Sequence, residues 1–409
     1  MQPSSFYRHW VVILLYIAWC IAFIDRVVLS MGAPALTAEM HLSPAELGLV
    51  LSVFYFGFWL MQLPGGWLAD RFGAKSVVIM AIGFWSLFTL LTGLAWSLAS
   101  LLFIRLLFGL GEGAFPSAAI KNAAENYRTE QKPKITSLLV SSNYIGSMLA
   151  PLLIAPLLLH FHWRHTFMLI GILGLVFVLI YSLTVRNTPA SDNEQRQRIN
   201  LQDVKSVMKH PLLWKIAAVW FGLSLINKGL DSWMPVYLMT ERHLDLKAVG
   251  VLLPIPYLMA GIATAIGGWV MVKFFNGREN LMLLFSALFT AISIGCMYRA
   301  ETLTGVIVAQ AFTYFFKSFV LAVAVALPTK ILAPRMVGSG IGVINFGGQA
   351  AGFIAPLAIG LMVQHFSFGS AFLFLMGAAA FSTLMSLTIR TEKTGTAAVP
   401  PLKSLTKEG

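Results

Sequence analysis

"GGWLADRFGAK", residues 65–75, places Asp70, Arg71 and Lys75 between two apolar runs that lie near residues 46–68 and 76–96. A helix needs roughly 20 apolar residues to cross a bilayer core of about 30 Å, so the charged stretch reads as a tight connection at one membrane face. Gly66 and Gly73 permit close helix approach and a sharp turn. Asp70 can accept from the N-terminal amides of a neighbouring helix, and Arg71 and Lys75 supply positive charge. The stretch recurs as "GGWVMVKFFNGR" from Gly267, 202 residues further on, with Val272 and Lys273 in place of the acid and base. A charged gate is therefore expected in the first half only.

Outward from this turn the chain divides into about twelve such runs, near 10–34, 46–68, 76–96, 99–120, 136–159, 164–185, 212–238, 247–272, 280–298, 303–331, 337–363 and 367–389. Of 409 residues, 57% are hydrophobic and 11% charged, which is too apolar for a soluble domain. The runs are long and continuous and lack the period-two alternation of barrel strands. The expected fold class is an all-α polytopic membrane protein of twelve transmembrane helices.

A net charge of +12 raises nucleic acid as a partner, but the placement of the basic residues points to a membrane. With the N-terminus taken as cytoplasmic, 21 of the 29 Lys and Arg fall on inner segments. The outer connections hold Arg164, Arg242, Lys247 and Arg299. This positive-inside bias predicts two cytoplasmic termini. Cys20 and Cys296 fall within spans and imply no disulfide framework. The first run is too long and too charged at its centre for a cleavable signal, and is read as a retained helix.

Residues 186–211 form the long polar stretch that separates six spans from six. The expected organisation is an N-terminal six-helix bundle over 1–185, a cytoplasmic linker over 186–211, a C-terminal bundle over 212–390 and a tail over 391–409. The halves echo one another. "NYIG" from Asn143 recurs as "NFGG" from Asn345, and "HFHWRHTF" from His160 as "HFSFGSAF" from His365. Parallel six-helix repeats place a substrate site near the membrane midplane, between the halves.

An ionisable group at the centre of a span costs about 2.5–3.5 kcal/mol, so each is a candidate functional group. Seven are read: Asp25, Arg26, Arg105, Glu112, Lys228, Asp231 and Lys317. Fully ionised, they leave a single positive charge for an anion to neutralise. Arg105 and Glu112, seven residues apart, share one helix face. Gly109, Gly111 and Gly113 would let another helix approach, plausibly the first, bringing Asp25 and Arg26 into a four-membered network. Desolvation favours neutral carboxyls and nearby arginines favour charged ones, so Asp25 and Glu112 are suited to load and release protons. The bland alternative is a set of salt bridges that only fixes packing, and for Lys228 and Asp231 a local ion pair. Asn345 and Gln349, four apart, carry amides suited to sugar hydroxyls or to bonds between helices.

The "GGWLADRFGAK" motif resembles the loop between the second and third helices of the major facilitator superfamily. "FIDRVVL", Arg105, Glu112 with the following "AFPSA", and "GVINFGGQAAGFIAP" resemble its anion:cation symporter branch. That branch includes bacterial galactonate, hexuronate and glucarate carriers and sialin-type transporters. The resemblance implies that Arg26 anchors a substrate carboxylate, that Asp25 and Glu112 carry protons, that Arg105 balances their charge, and that Asn345 contacts substrate. Gly66, Asp70, Arg71 and Gly73 would form the gating motif. Phe23 departs from the family pattern, in which many relatives carry tyrosine. Lys228 and Lys317 are not assigned by it and suit a second negative charge on the substrate.

The function expected is proton-coupled uptake, by alternating access, of a small organic anion such as an aldonate or hexuronate, across the inner (plasma) membrane. A dianionic aldarate, sulfonate or phosphonate is the alternative, and a drug/proton antiporter a more distant one. The "SSNYIGSMLAPLL" stretch lacks the Gly-Pro step usual in such antiporters. No motif of an enzyme, a cofactor or a metal site is read, since the histidines at 160, 162 and 165 recur only at His365. Besides substrate and protons the expected partner is membrane lipid, and nothing calls for more than a monomer.

Overall fold

The computed structural model describes residues 5–128, 130–186, 207–332 and 336–389, and these are helical with short connections and no strand. The first half comprises α1 (Ser5–Met40), α2 (Pro44–Phe72), α3 (Ala74–Thr92), α4 (Leu98–Gly113), α5 (Phe115–Ala124), α6 (Lys132–His160) and α7 (Trp163–Thr184). The second half comprises α8 (Pro211–Thr240), α9 (Leu246–Leu252), α10 (Pro254–Phe274), α11 (Glu279–Arg299), α12 (Leu303–Ser318), α13 (Val320–Ile331), α14 (Val337–His365) and α15 (Phe368–Leu387). Residues 187–206 of the expected linker and the expected tail 391–409 lie outside the described residues.

Eleven helical stretches are long and apolar enough to cross a membrane, with α4–α5, α9–α10 and α12–α13 each counting as one. This is a multi-pass membrane protein. The remaining long helix, α8, has 30 residues and matches the expected run at 212–238, but it carries Lys228 and Asp231 at mid-length. Local chemistry sets the helix ends. Ser43 and Glu46 form a reciprocal capping box at the start of α2, with Pro44 in its first turn. At its far end Gly73 has φ +87°, a conformation that favours glycine, and Gly277 between α10 and α11 has φ +71°. The expected turn at Gly73 is thus observed, and it has a counterpart in the second half.

The fourth and tenth spans are both interrupted. The first breaks at Ala114, just before Pro116, and the second at Phe319, nine residues before Pro328. Each break follows a buried charge by two residues, Glu112 in one half and Lys317 in the other.

Glycines set the packing, though differently from expectation. A Cβ on Gly109 or Gly113 would lie 2.1 or 2.5 Å from the carbonyl oxygens of Phe54 and Phe58 on α2, while one on Gly111 would strike Phe84 on α3 at 2.6 Å. Positions four apart share a face and the one between them points away, so α4 receives α2 and α3 rather than α1. In the motif at 65–75, Gly65 makes the close approach, to Ala114, whereas Gly66 faces open space.

The halves meet along α2–α14, α6–α9, α6–α10 and α1–α8. Their closest contacts lie at the end that carries the α1–α2 and α14–α15 connections. There a Cβ on Gly48 would sit 2.7 Å from the Pro356 carbonyl and one on Gly360 2.5 Å from that of Pro44, and Ala45 N–H donates to Gln364 at 3.0 Å. Trp59 and Phe346 pack at 4.8 Å near mid-length. Beyond them, towards the end carrying the α2–α3 turn, Gly66, Gly338 and Gly342 have no neighbour among the described residues within 4 Å of their Cβ positions, and Asn345 is exposed. One end is sealed and the other splayed.

Candidate functional site

A small, partly open cavity lies between the halves. From the first half it is lined by Phe23, Arg26, Phe54, Tyr55, Arg105 and Ser147, among others, and from the second by Lys228, Asp231, Ser232 and Tyr257.

Arg26 donates through Nε (2.7 Å) and Nη2 to Oε1 of Glu112. The carboxylate is 1% exposed and the guanidinium side chain 15%. Three rings surround the guanidinium, with Phe23, Phe58 and Phe54 centred 4.7, 4.8 and 5.2 Å away. Planar apolar walls suit a guanidinium that must stay charged with little water around it. The departure at Phe23 thus has a local role, as part of this sleeve.

Asp25, 2% exposed, does not line the cavity. It faces Trp85 and Thr89 on α3 and lies within electrostatic reach of Glu112 and Arg105. Arg105 is buried and packs on Phe108 at 4.3 Å. Among the described residues, its Nε and Nη1, together with Oδ1 of Asp25 and Oε2 of Glu112, have no hydrogen-bond partner. The expected four-membered network is therefore realised as one direct pair, Arg26–Glu112, with Asp25 and Arg105 coupled to it through space. Groups left this way in a core are where proton or ligand chemistry is sought.

The second half supplies a separate network. Asp231 accepts from Asn227 Nδ2 (2.7 Å) and Tyr314 OH (2.5 Å), and Lys317 donates to Asn227 Oδ1. The Lys317 ammonium also lies 4.3 Å from the Tyr314 ring centre, and Tyr314 meets Tyr257 edge-on. Lys228 is not part of this network. The expected alternative of a Lys228–Asp231 ion pair is replaced by a contact of Lys228 Nζ with the Tyr55 ring, 4.8 Å from its centre. Lys317, Asn345 and Gln349 do not line the cavity, and Asn345 is exposed towards the splayed end.

Sequence reasoning passed over Asn227, Tyr257 and Tyr314. Asn227 and Asp231 are four apart and Tyr314 and Lys317 three apart, spacings that put each pair on one helix face.

The charged turn also differs from expectation. Asp70 accepts from Lys121 Nζ on α5 (2.6 Å), not from helix amides, and Arg71 lies over Trp67 and Phe72. The second half has its own pair, Lys330 of α13 with Glu279 at the start of α11. A charged pair therefore stands in each half, rather than in the first alone. Aligning residues 65–75 with 267–277 hides it, because the acid stands seven residues beyond Val272, the position matching Asp70. The histidines of "HFHWRHTF" do local work, with His162 Nε2 3.3 Å from Glu39 and His160 Nδ1 2.8 Å from the Pro156 carbonyl.

Two helical halves around a charged cavity, sealed at one end, have the layout of a membrane transporter. The chain belongs to the major facilitator superfamily, whose model matches residues 15–297 and 275–407. Curated relatives include a hexuronate transporter of Bacillus subtilis (strain 168), 29% identical, with 91% of this chain and 92% of that protein covered. A probable sulfoacetate transporter of Cupriavidus necator is 27% identical, with 88% of each covered. A probable galactarate/D-glucarate transporter of Escherichia coli (strain K12) is 28% identical, with 92% and 93% covered. Relatives of this kind are consistent with the anion:cation symporter branch. Among solved structures, a bacterial homolog of the human lysosomal transporter Spinster, in an inward-facing and unoccupied conformation, superposes with a TM-score of 0.82 at 19% identity. That match covers 94% of this chain and 98% of the other, and supports the fold alone.

Proposed function

We propose that this protein is a proton-coupled symporter that takes up a small organic anion, a sugar acid in the first instance, across the inner membrane. The observation that carries this reading is Arg26 at the cavity wall, paired with the buried Glu112 behind it. An arginine that presents a fork of donors to a carboxylate of its own protein presents the same fork to a substrate carboxylate once that partner is neutralised. Protonation of Glu112 frees Arg26, the anion takes its place, and no buried cation is left unpaired when the halves move. Loss of the substrate then returns Arg26 to Glu112 and expels the proton. Asp25 is the second proton carrier, with Arg105 between the two acids. The relatives' substrates, hexuronate, sulfoacetate and galactarate or glucarate, are all organic anions.

In this reading α8 is a twelfth crossing, the termini are cytoplasmic, residues 186–211 join two six-helix units, and the protein works as a monomer. The sealed end then faces outward, and the conformation is the one that opens to the cytoplasm. Asn345, exposed on α14 towards that opening, would meet substrate on its way out. Binding tests the anchor. Arg26→Ala should weaken organic-anion binding about ten- to a hundredfold, the size of a lost charge-assisted pair. Unchanged affinity in calorimetry would remove Arg26 from the site.

A further inference from the structure

Lys228 stands in the cavity wall with no hydrogen bond or direct ion pair among the described residues; the face of Tyr55 lies beside it, and Asp231 and Glu112 are within electrostatic reach. The acid one turn along, Asp231, is occupied by Asn227 and Tyr314. The other mid-span cation of this half, Lys317, is tied to Asn227 and lies off the cavity. On the opposite wall Arg26 lies over Phe54 at 5.2 Å, and Phe54 packs against Tyr55 at 4.7 Å. The two cations thus stand at the two ends of a Phe54–Tyr55 pair, one from each half of the protein, facing one cavity.

We propose that Lys228 receives a second anionic group of the substrate, so that the cavity takes small dianions, a dicarboxylate or a sulfonate–carboxylate, with one end at Arg26 and the other at Lys228. This rests on the reading of Arg26 as the anchor. A monoanion would leave Lys228 without a direct anionic partner when the cavity closes, a cost that the ring of Tyr55 and the already engaged Asp231 offset only in part. A dianion pairs both cations and draws the two halves together. The charges agree. Arg26, Arg105, Lys228 and Lys317 against Asp25, Glu112 and Asp231 leave one positive charge; protonation of Asp25 and Glu112 raises it to three, and a bound dianion returns it to one.

The test is binding to the purified full chain of two matched pairs: galactarate against galactonate, six-carbon acids differing by one terminal carboxylate, and sulfoacetate against acetate. In at least one pair the dianion should bind tenfold or more tightly. Lys228→Met should bring that ratio close to one, and Lys228→Arg should restore most of it. A wild-type preference for the monoanion in both pairs, or a ratio that Lys228→Met does not move, would overturn the proposal while leaving an organic-anion site in place. The wild-type ratio alone decides if Lys228→Met does not fold. No binding of any of the four by the wild type would overturn the organic-anion reading itself, and this inference with it.

Discussion

Replacing Glu112 by Gln keeps the shape of the side chain and removes the charge that holds Arg26. In the structure Arg26 directs two donors, Nε at 2.7 Å and Nη2, at one oxygen of this carboxylate. A hydrogen bond to a charged group contributes about 1.5–3 kcal/mol, and an incoming anion must displace it whenever Glu112 is ionised. Full removal of that competition would tighten anion binding about ten- to a hundredfold at alkaline pH. Gln retains a neutral acceptor, so the lower end, about tenfold, is expected. The wild type also carries a pH dependence. Binding takes up a proton on Glu112, so affinity should rise as pH falls, by up to about tenfold per pH unit for one coupled proton. Glu112→Gln should flatten this slope and abolish concentrative uptake while exchange of internal for external substrate continues. Calorimetric titrations between about pH 6 and 8 measure both effects. A variant that binds no more tightly at the alkaline end and keeps the wild-type slope would show that Arg26 does not choose between Glu112 and substrate.

Three further outcomes follow from other parts of the structure. Gly360→Val should wedge the sealed end apart, because its Cβ would meet the Pro44 carbonyl at 2.5 Å. Labelling of a cysteine placed at Ala45 should then rise several-fold, and unchanged labelling would mean that the seam is not a closed gate. Glu279→Gln removes the buried partner of Lys330 and should lower stability by about 1–3 kcal/mol, read as a fall in thermal midpoint that Glu279→Asp largely avoids. A dianion carried with two protons, one each on Asp25 and Glu112, moves no net charge. An imposed potential, worth about 2.3 kcal/mol per charge per 100 mV, should then leave galactarate uptake unchanged. Strong voltage dependence would reject that stoichiometry.

Much of the fold is legible in the sequence because the bilayer imposes one length scale on every span, and the chain divides accordingly. The charged core is legible for the same reason: Asp25, Arg26, Arg105 and Glu112 are costly enough inside apolar runs to stand out. Their partners are less so. Spacing puts Arg105 and Glu112 on one face of α4 but does not say which helix that face meets. Gly109 and Gly113 look to α2 while Gly111 looks to α3, and only a long side chain carries Arg26 across to Glu112. Lys317 and Lys228 look alike in sequence, as lone cations in apolar runs. An asparagine one position before Lys228 engages Lys317 and Asp231 together and leaves Lys228 to the cavity. The second charged pair, Glu279–Lys330, escaped because its acid stands seven residues beyond the position that matches Asp70 in the repeated motif.

Proton movement on addition of substrate bears most directly on the central claim. Proteoliposomes of the purified protein, loaded with a pH-sensitive dye, are given aldonates, hexuronates, aldarates and small sulfonates in turn, with neutral sugars and cationic drugs alongside. The account predicts inward proton flow with an organic anion, lost in Glu112→Gln and in Arg26→Ala. Silence towards every anion, with proton movement evoked by cations or neutral sugars, would contradict it.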